Sequence, residues 1–328
     1  MRAPGFWVGG GGIAPLLLSP FAAIYAGATA RRMAHSGWRA PVPVICCGNA
    51  TAGGAGKTNL ARDLGMRLAD RGVASHFLLR GYGGKLKGPT RVDPAIHDST
   101  LVGDEALLLA ELRPTWISAD RGAGGKAAVA AGAQAIVMDD GLQNPTLEKD
   151  LSLLVIDGTY GFGNGRVIPA GPLREPVVNA AARCQAAVLI GNDDTGALEQ
   201  LPPGMPVLRA KLVAGPEAAM LAGQPVFAFC GIANPPKFFA TLQEAGAVIA
   251  GRMPFADHYP YDEGDLKDLL DQADALRALP VTTKKDFVRI PPQFRSRVTV
   301  LTVSLGWEEP AAIEILLDPL VARVPMPA

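Results

Sequence analysis

Val44–Leu60, VICCGNATAGGAGKTNL, is the stretch that decides the fold. A short apolar run predicts a buried strand, a glycine-rich loop follows, and Lys57-Thr58 opens a segment of helical periodicity. That order is what a phosphate cradle needs. Glycines let successive backbone N–H groups turn toward an anion, and the helix behind presents the positive end of its dipole to the same charge. Gly53, Gly54, Ala55 and Gly56 form the cradle. Lys57 is placed to reach the terminal phosphates of a nucleotide, and the Thr58 hydroxyl to ligate Mg²⁺. The strict pattern G-x-x-x-x-G-K-S/T is missed at one position, where Thr51 stands for the first glycine.

Beyond the loop, Leu60, Leu64 and Leu68 recur every four residues until Gly72, which predicts a helix and its stop. Val73–Leu79 reads as a strand running into Arg80-Gly81-Tyr82-Gly83-Gly84. Helices are expected at Asp104–Leu112 and Arg121–Ala131, and strands at Thr115–Ser118, Gln134–Met138, Leu151–Ile156 and Ala186–Ile190. Strands alternating with helices imply a parallel α/β sheet of the P-loop NTPase type, with ligands at the strand carboxyl ends. A chain of 328 residues exceeds what one core usually supports, so two domains are expected. Residues 1–205 would form the P-loop domain with an N-terminal membrane-associating helix. Residues 206–225, flanked by Leu201-Pro202-Pro203-Gly204 and carrying Ala214-Gly215-Pro216, read as a linker. A smaller α/β domain, 226–328, would close the cleft.

Lysine plus arginine equals aspartate plus glutamate at 31 each, so there is no global electrostatic case for a nucleic acid partner. The four cysteines, Cys46, Cys47, Cys184 and Cys230, form no C-x-x-C pair and read as small buried hydrophobes in a reducing compartment. Ile13–Ala30 carries no charge and is followed by Arg31-Arg32. Pro15, Pro20 and Gly27 weaken it as a membrane span, and no basic region before it suggests a signal peptide. Leu17, Phe21, Ile24 and Tyr25 share one helical face, which suits a helix lying in a membrane interface; a helix packed into a core is the other reading.

The apolar strand Gln134–Met138 delivers Asp139 and Asp140 at its end, where P-loop proteins place the carboxylate that holds Mg²⁺ or its water. With Lys57-Thr58 this makes a nucleoside triphosphatase or kinase the leading class. Dinucleotide binding fails, because no G-x-G-x-x-G opens a helix. Partition-type dimeric ATPases carry a lysine where this chain has Ala52. A small-metabolite ligase or kinase of the dethiobiotin-synthetase kind is a further alternative.

Ordered motifs over roughly 240 residues make the chain resemble the tetraacyldisaccharide 4′-kinase family, the lipid A 4′-kinases of Gram-negative bacteria. They are the loop Gly48–Thr58 (with its threonine for glycine), Arg80–Gly84, Gly103-Asp104-Glu105-Ala106, Asp139–Gln143, Gly163–Pro176, Gly231–Pro235, Asp257-His258-Tyr259 and Thr283–Asp286. The chain departs from the family pattern at Asn144, often histidine, and at Lys284, usually glutamate.

The resemblance implies transfer of the ATP γ-phosphate to the 4′-hydroxyl of an acylated glucosamine disaccharide 1-phosphate, giving lipid IVA. It makes Asp104 the base that takes the hydroxyl proton, supported by His258 from the second domain. Asp104 at a helix start would otherwise read as an N-cap. Glu105 joins Thr58, Asp139 and Asp140 as a metal-site candidate. Arg174, stiffened by flanking prolines, and Arg121 are the cations expected near phosphate, while Arg80 and Tyr82 are expected to contact the disaccharide. The implied setting is the cytoplasmic face of the inner membrane, peripheral or N-terminally anchored, with the lipid surface and the lipid A precursor as partners and no obligate protein partner.

Overall fold

A computed structural model describes residues 4–9 and 12–324. The P-loop strand β1 (Val44–Gly48) lies near the middle of a nine-stranded sheet and is buried on both faces. Its side chains alternate between two cores: Ile45 and Cys47 pack into one, Val44 and Cys46 into the other. The other members are β2 (Ser75–Leu79), β3 (Thr90–Arg91), β4 (Thr115–Ile117), β5 (Ala135–Asp139), β6 (Leu151–Asp157), β7 (Ala186–Ile190), β8 (Val207–Ala214) and β13 (Val303–Trp307). Their order is β13-β8-β7-β6-β1-β5-β2-β4-β3, parallel except for the edge strands β3 and β13. A second sheet, β10-β9-β11-β12, is parallel throughout and comprises β9 (Pro225–Cys230), β10 (Val248–Pro254), β11 (Leu279–Thr283) and β12 (Thr299–Leu301).

The expected division of the chain does not coincide with the division of the sheets. Residues 207–214, assigned to a linker, form β8, which pairs with β7 over Val207–Ala210. The carboxyl-terminal end of the expected second domain also returns to the first sheet. After Leu301 the chain leaves β12, enters β13 and runs antiparallel to β8, with Val303 opposite Ala214 and Trp307 opposite Ala210. The closing helix Pro310–Val321 then contributes Ile313, Leu317 and Leu320 to the first core. The apolar stretch 298–307 is thus divided between two strands in two sheets.

The helix Ile13–Met33 lies outside both cores. Among its described residues only Pro15, Ala22 and Thr29 are buried, spaced seven apart on one line of the helix. Ile13, Leu16, Leu17, Phe21 and Ile24 are exposed. Small side chains face the protein and large apolar ones face away, the reverse of a soluble surface helix. By length and composition it is the only described helix able to cross a membrane. All four cysteines are free, and Cys46, Cys47 and Cys230 are buried.

Candidate active site

The P-loop side chains converge at the carboxyl end of β1. Gly56, at φ 86°, caps the helix Lys57–Asp70, and a Cβ there would stand 2.6 Å from Ile190 Cδ1, so only glycine serves both demands. Gly53 and Gly54 form the exposed rim, while Ala55 is buried. Lys57 Nζ donates to Asn49 Oδ1 at 2.9 Å and Gly53 O at 3.3 Å, and lies 3.6 Å from Asp140 Oδ1. Asn49 Nδ2 in turn donates to Thr51 Oγ1 at 3.0 Å. The substituted threonine therefore braces the residue that holds the lysine.

Thr58 Oγ1 donates to Asp139 Oδ2 at 2.8 Å. The other Asp139 oxygen, Oδ1, is buried without a partner. Burial pushes this carboxyl up to about 7, against the opposing effects of Lys57 and the Thr58 hydroxyl. A buried acceptor left open beside a hydroxyl is the hard oxygen set that suits Mg²⁺. Among the described residues no cluster of three or more His, Cys, Asp or Glu side chains could hold a metal. Mg²⁺ normally keeps waters and substrate phosphates in its shell, so a donor pair is sufficient protein contribution.

Asp140 is held differently. Burial would raise its pKa, but Lys57 and Arg174 outweigh that and drive it well below the usual carboxylate range. Arg174 Nη1 donates to Asp140 Oδ1 at 2.6 Å and to Gln143 Oε1 at 3.3 Å. The arginine's segment lines the P-loop itself, with Ala52 N donating to Pro172 O and Arg174 N to Ala50 O, both at 2.7 Å. Gln143 Nε2 donates to Asn49 O and to the buried Glu175, each at 2.9 Å. Asn49, Gln143 and Glu175 were not singled out as site residues; their signal lay inside the quoted motifs.

Asp104 begins the helix Asp104–Ala110 but does not cap it: Gly103 holds the cap position, and no side chain bonds there. Gly103 has φ 85°, and a Cβ on it would stand 2.3 Å from Tyr82 O, so the Tyr82 loop is pressed against the Asp104 turn. Across the cleft His258 Nδ1 lies 2.8 Å from Asp104 Oδ2, and Arg289 Nε 3.3 Å from the same oxygen. Burial would raise the Asp104 pKa, but the His258 hydrogen bond and the Arg289 charge outweigh it and leave it lowered. Arg289 is nearly buried and also bonds Asp286 Oδ1 at 2.8 Å, Tyr259 O at 2.9 Å and Gly231 O at 3.0 Å. The sequence reading missed it. Tyr82, 69% exposed, stands beside His258 with ring centroids 5.9 Å apart. Arg80 is exposed next to it.

Two expected ligands make other contacts, although Glu105 is near enough to Asp139 to raise its pKa. Glu105 Oε1 is 3.0 Å from Lys285 Nζ and is turned to the second sheet's unit, whereas Thr58 bonds Asp139. Arg121 is 3% exposed, with Nη1 donating to Ser118 O at 2.7 Å and weaker bonds to Ala119 O and Asp140 O at 3.4 Å. Burial pushes its pKa down to about 10. It joins the β4 and β5 loops through these carbonyl oxygens, while its Nε is buried without a partner. The two departures from the family pattern have local roles: Asn144 Oδ1 accepts from Thr146 N at 3.0 Å, and Lys284 pairs with Glu111 at 2.8 Å.

Comparison with known proteins identifies the family and the fold. The family described as Tetraacyldisaccharide-1-P 4′-kinase matches residues 14–321. A tetraacyldisaccharide 4′-kinase of Gluconacetobacter diazotrophicus is 57% identical over 97% of this chain and 98% of its own length. One from Rhodospirillum rubrum is 54% identical over 99% of this chain and all of its own. The crystal structure of LpxK from Aquifex aeolicus, described as an "apo" form in complex with ATP, superposes with a TM-score of 0.74 at 26% identity, covering 94% of this chain and 99% of that one. The chain belongs to the tetraacyldisaccharide-1-phosphate 4′-kinase family.

Proposed function

We propose that the cleft moves the γ-phosphate of ATP, bound with Mg²⁺, onto the 4′-hydroxyl of an acylated glucosamine disaccharide 1-phosphate at a membrane surface. The observation that carries this reading is the contact between Asp104 of the P-loop unit and His258 of the second unit, 2.8 Å apart, with the following residue, Glu105, close enough to Asp139 to raise its pKa. A sugar hydroxyl is a weak nucleophile, and a loose phosphoryl-transfer transition state needs it oriented and its proton accepted. Asp104 is kept ionised by its neighbours and can accept that proton, which leaves the hydroxyl oxygen as it bonds to phosphorus. His258 fixes the acceptor carboxylate through Oδ2 and leaves Oδ1 to the hydroxyl.

Lys57 gives up Asn49 and Gly53 for the terminal phosphates, and Arg174 stands where its guanidinium can offset the charge of the transferring group. Thr58 and Asp139 would hold Mg²⁺, which supplies charge neutralisation across the phosphates when bound. Asp140, ionised and shared by Lys57 and Arg174, keeps both cations aimed at one point. Tyr82 and Arg80 line the mouth of the cleft for the disaccharide, and the exposed apolar face of Ile13–Met33 would meet the bilayer. A lipid A precursor as acceptor supports a setting at the inner membrane of a Gram-negative bacterium, and the reading takes its cytoplasmic side as the one that offers ATP.

The test is substrate-dependent turnover. ATP consumption should require added acylated disaccharide 1-phosphate, and the product should gain one phosphate. Rapid turnover without lipid would overturn the reading.

A further inference from the structure

His258 sits at φ 59°, in the left-handed region, and its backbone N–H donates to Gly231 O at 3.0 Å. This anchors the backbone and leaves the ring's protonation to its neighbours. They are Asp104 at Nδ1, Lys285 Nζ at 3.3 Å from Nε2, Asp257 Oδ2 at 3.8 Å from Nε2, and the Tyr82 ring. Behind them stand Arg289 on Asp104 and Glu105 on Lys285.

An ionised carboxylate only accepts hydrogen bonds, so Nδ1 carries a proton. An ammonium only donates, so the ring nitrogen facing Lys285 presents a lone pair. We infer that Lys285 is a positioning residue that holds His258 as the neutral imidazole with its proton on Nδ1. The inference rests on the reading of Asp104 as base only for its catalytic consequence.

Lys285 is well suited to this. Burial would discharge it, but Glu105 and Asp257 outweigh that and hold its pKa raised. With those two carboxylates at 3.0 and 4.0 Å, its charge is largely matched locally. Without Lys285, Nε2 would face only Asp257 at 3.8 Å, an acceptor that a second ring N–H would satisfy. An imidazolium against Asp104 would depress its basicity further than a neutral N–H does. Lys285 also lowers the Asp104 pKa through space, but an imidazolium would put the same positive charge on the very ring that bonds Oδ2, so the lysine spares the base the stronger of the two effects while His258 orients it.

The experiment is nitrogen NMR of the full-length, substrate-free protein labelled with ¹⁵N-histidine at neutral pH. The four histidines of the chain are separable, and His258 is assigned by its loss in His258→Gln. His76 is an internal control, because its Nδ1 accepts from Trp116 Nε1 at 3.2 Å and should be unchanged in any folded variant. Wild-type His258 should show one protonated nitrogen, Nδ1, and one bare nitrogen. In Lys285→Met both nitrogens should become protonated, kcat should fall about tenfold (roughly one unit of base strength), and the KM for ATP should hold. Lys285→Arg keeps a donor and should keep the wild-type signature. A protonated Nε2 in the wild type overturns the inference even if Lys285→Met fails to fold, and so does an unchanged signature in folded Lys285→Met. A changed signature with wild-type kcat upholds Lys285's hold on the tautomer and overturns Asp104 as the base.

Discussion

Replacing Leu17, Phe21 and Ile24 together with Gln, Ser and Gln should release the protein from membranes without unfolding it. These side chains are 70%, 62% and 71% exposed, so they contribute little to the fold. Full burial of such a side chain is worth roughly 1.5–3 kcal/mol. With about two thirds of each available to a bilayer, the three offer about 3–6 kcal/mol, an upper bound because interfacial burial is incomplete. A loss of only about 3 kcal/mol lowers a partition coefficient by roughly 150-fold. Substitutions at exposed positions cost about 0.5 kcal/mol or less, so the melting temperature should scarcely change. The assay is co-sedimentation with vesicles containing anionic lipid, alongside steady-state kinetics. Sedimentation should fall, the apparent KM for lipid should rise, and the KM for ATP should stay put. A variant that sediments like the wild type refutes the membrane role of this face. One that unfolds refutes the claim that the face is unpartnered.

Lys57→Ala should abolish turnover while leaving the fold intact, since it removes charge from the transferring phosphoryl group; near-normal activity in a folded variant would refute the P-loop assignment. Asp104→Ala should lower kcat by about 10²–10⁴-fold with little change in the KM for ATP. His258→Ala should act in the same direction, and the double variant should lose less than the product of the two, whereas full multiplicativity would mean independent roles. Asp139 carries a raised pKa of about 7, so the folded state binds its proton more tightly than the unfolded state does. Its contribution to stability therefore falls as pH rises from the unfolded value near 4 to about 7, by up to about 4 kcal/mol. In denaturant titrations without Mg²⁺, Asp139→Asn should gain on the wild type between acid and mildly alkaline pH; parallel stability profiles would contradict this.

The central strands and the phosphate loop were legible because their signals are local. β1, β5 and β6 are buried on both faces and read as short apolar runs, and glycine spacing marks the loop between β1 and its helix. β8 was not legible. It alternates buried and exposed residues, carries exposed Arg209 and Lys211, and owes its place partly to pairing with Val303–Trp307, about ninety residues later. Asp104 and His258 could be named from motif resemblance, but nothing local excluded Asp104 as an N-cap; that needed the structure, where Gly103 holds the cap position. Arg289 had no motif to announce it. Its importance comes from burial beside Asp104, and a tertiary contact of this kind leaves no period in the chain.

The pairing of Val303 with Ala214 has a consequence for how the molecule is assembled. The unit containing β9–β12 leaves the nine-stranded sheet after one of these residues and rejoins it at the other. Its two ends are therefore about 5 Å apart, one strand spacing. The whole unit hangs like a bead on a closed loop, and a two-residue hairpin turn could in principle bridge the gap it would leave. The nucleotide-binding half would keep its sheet and closing helix after such an excision, but it would lose His258, Lys285 and Arg289 together. The shortened chain would keep Asp104, the proposed base, but lose His258 and Arg289, which hold its carboxylate, so a protein that still binds nucleotide should turn over the sugar far more slowly than the whole chain.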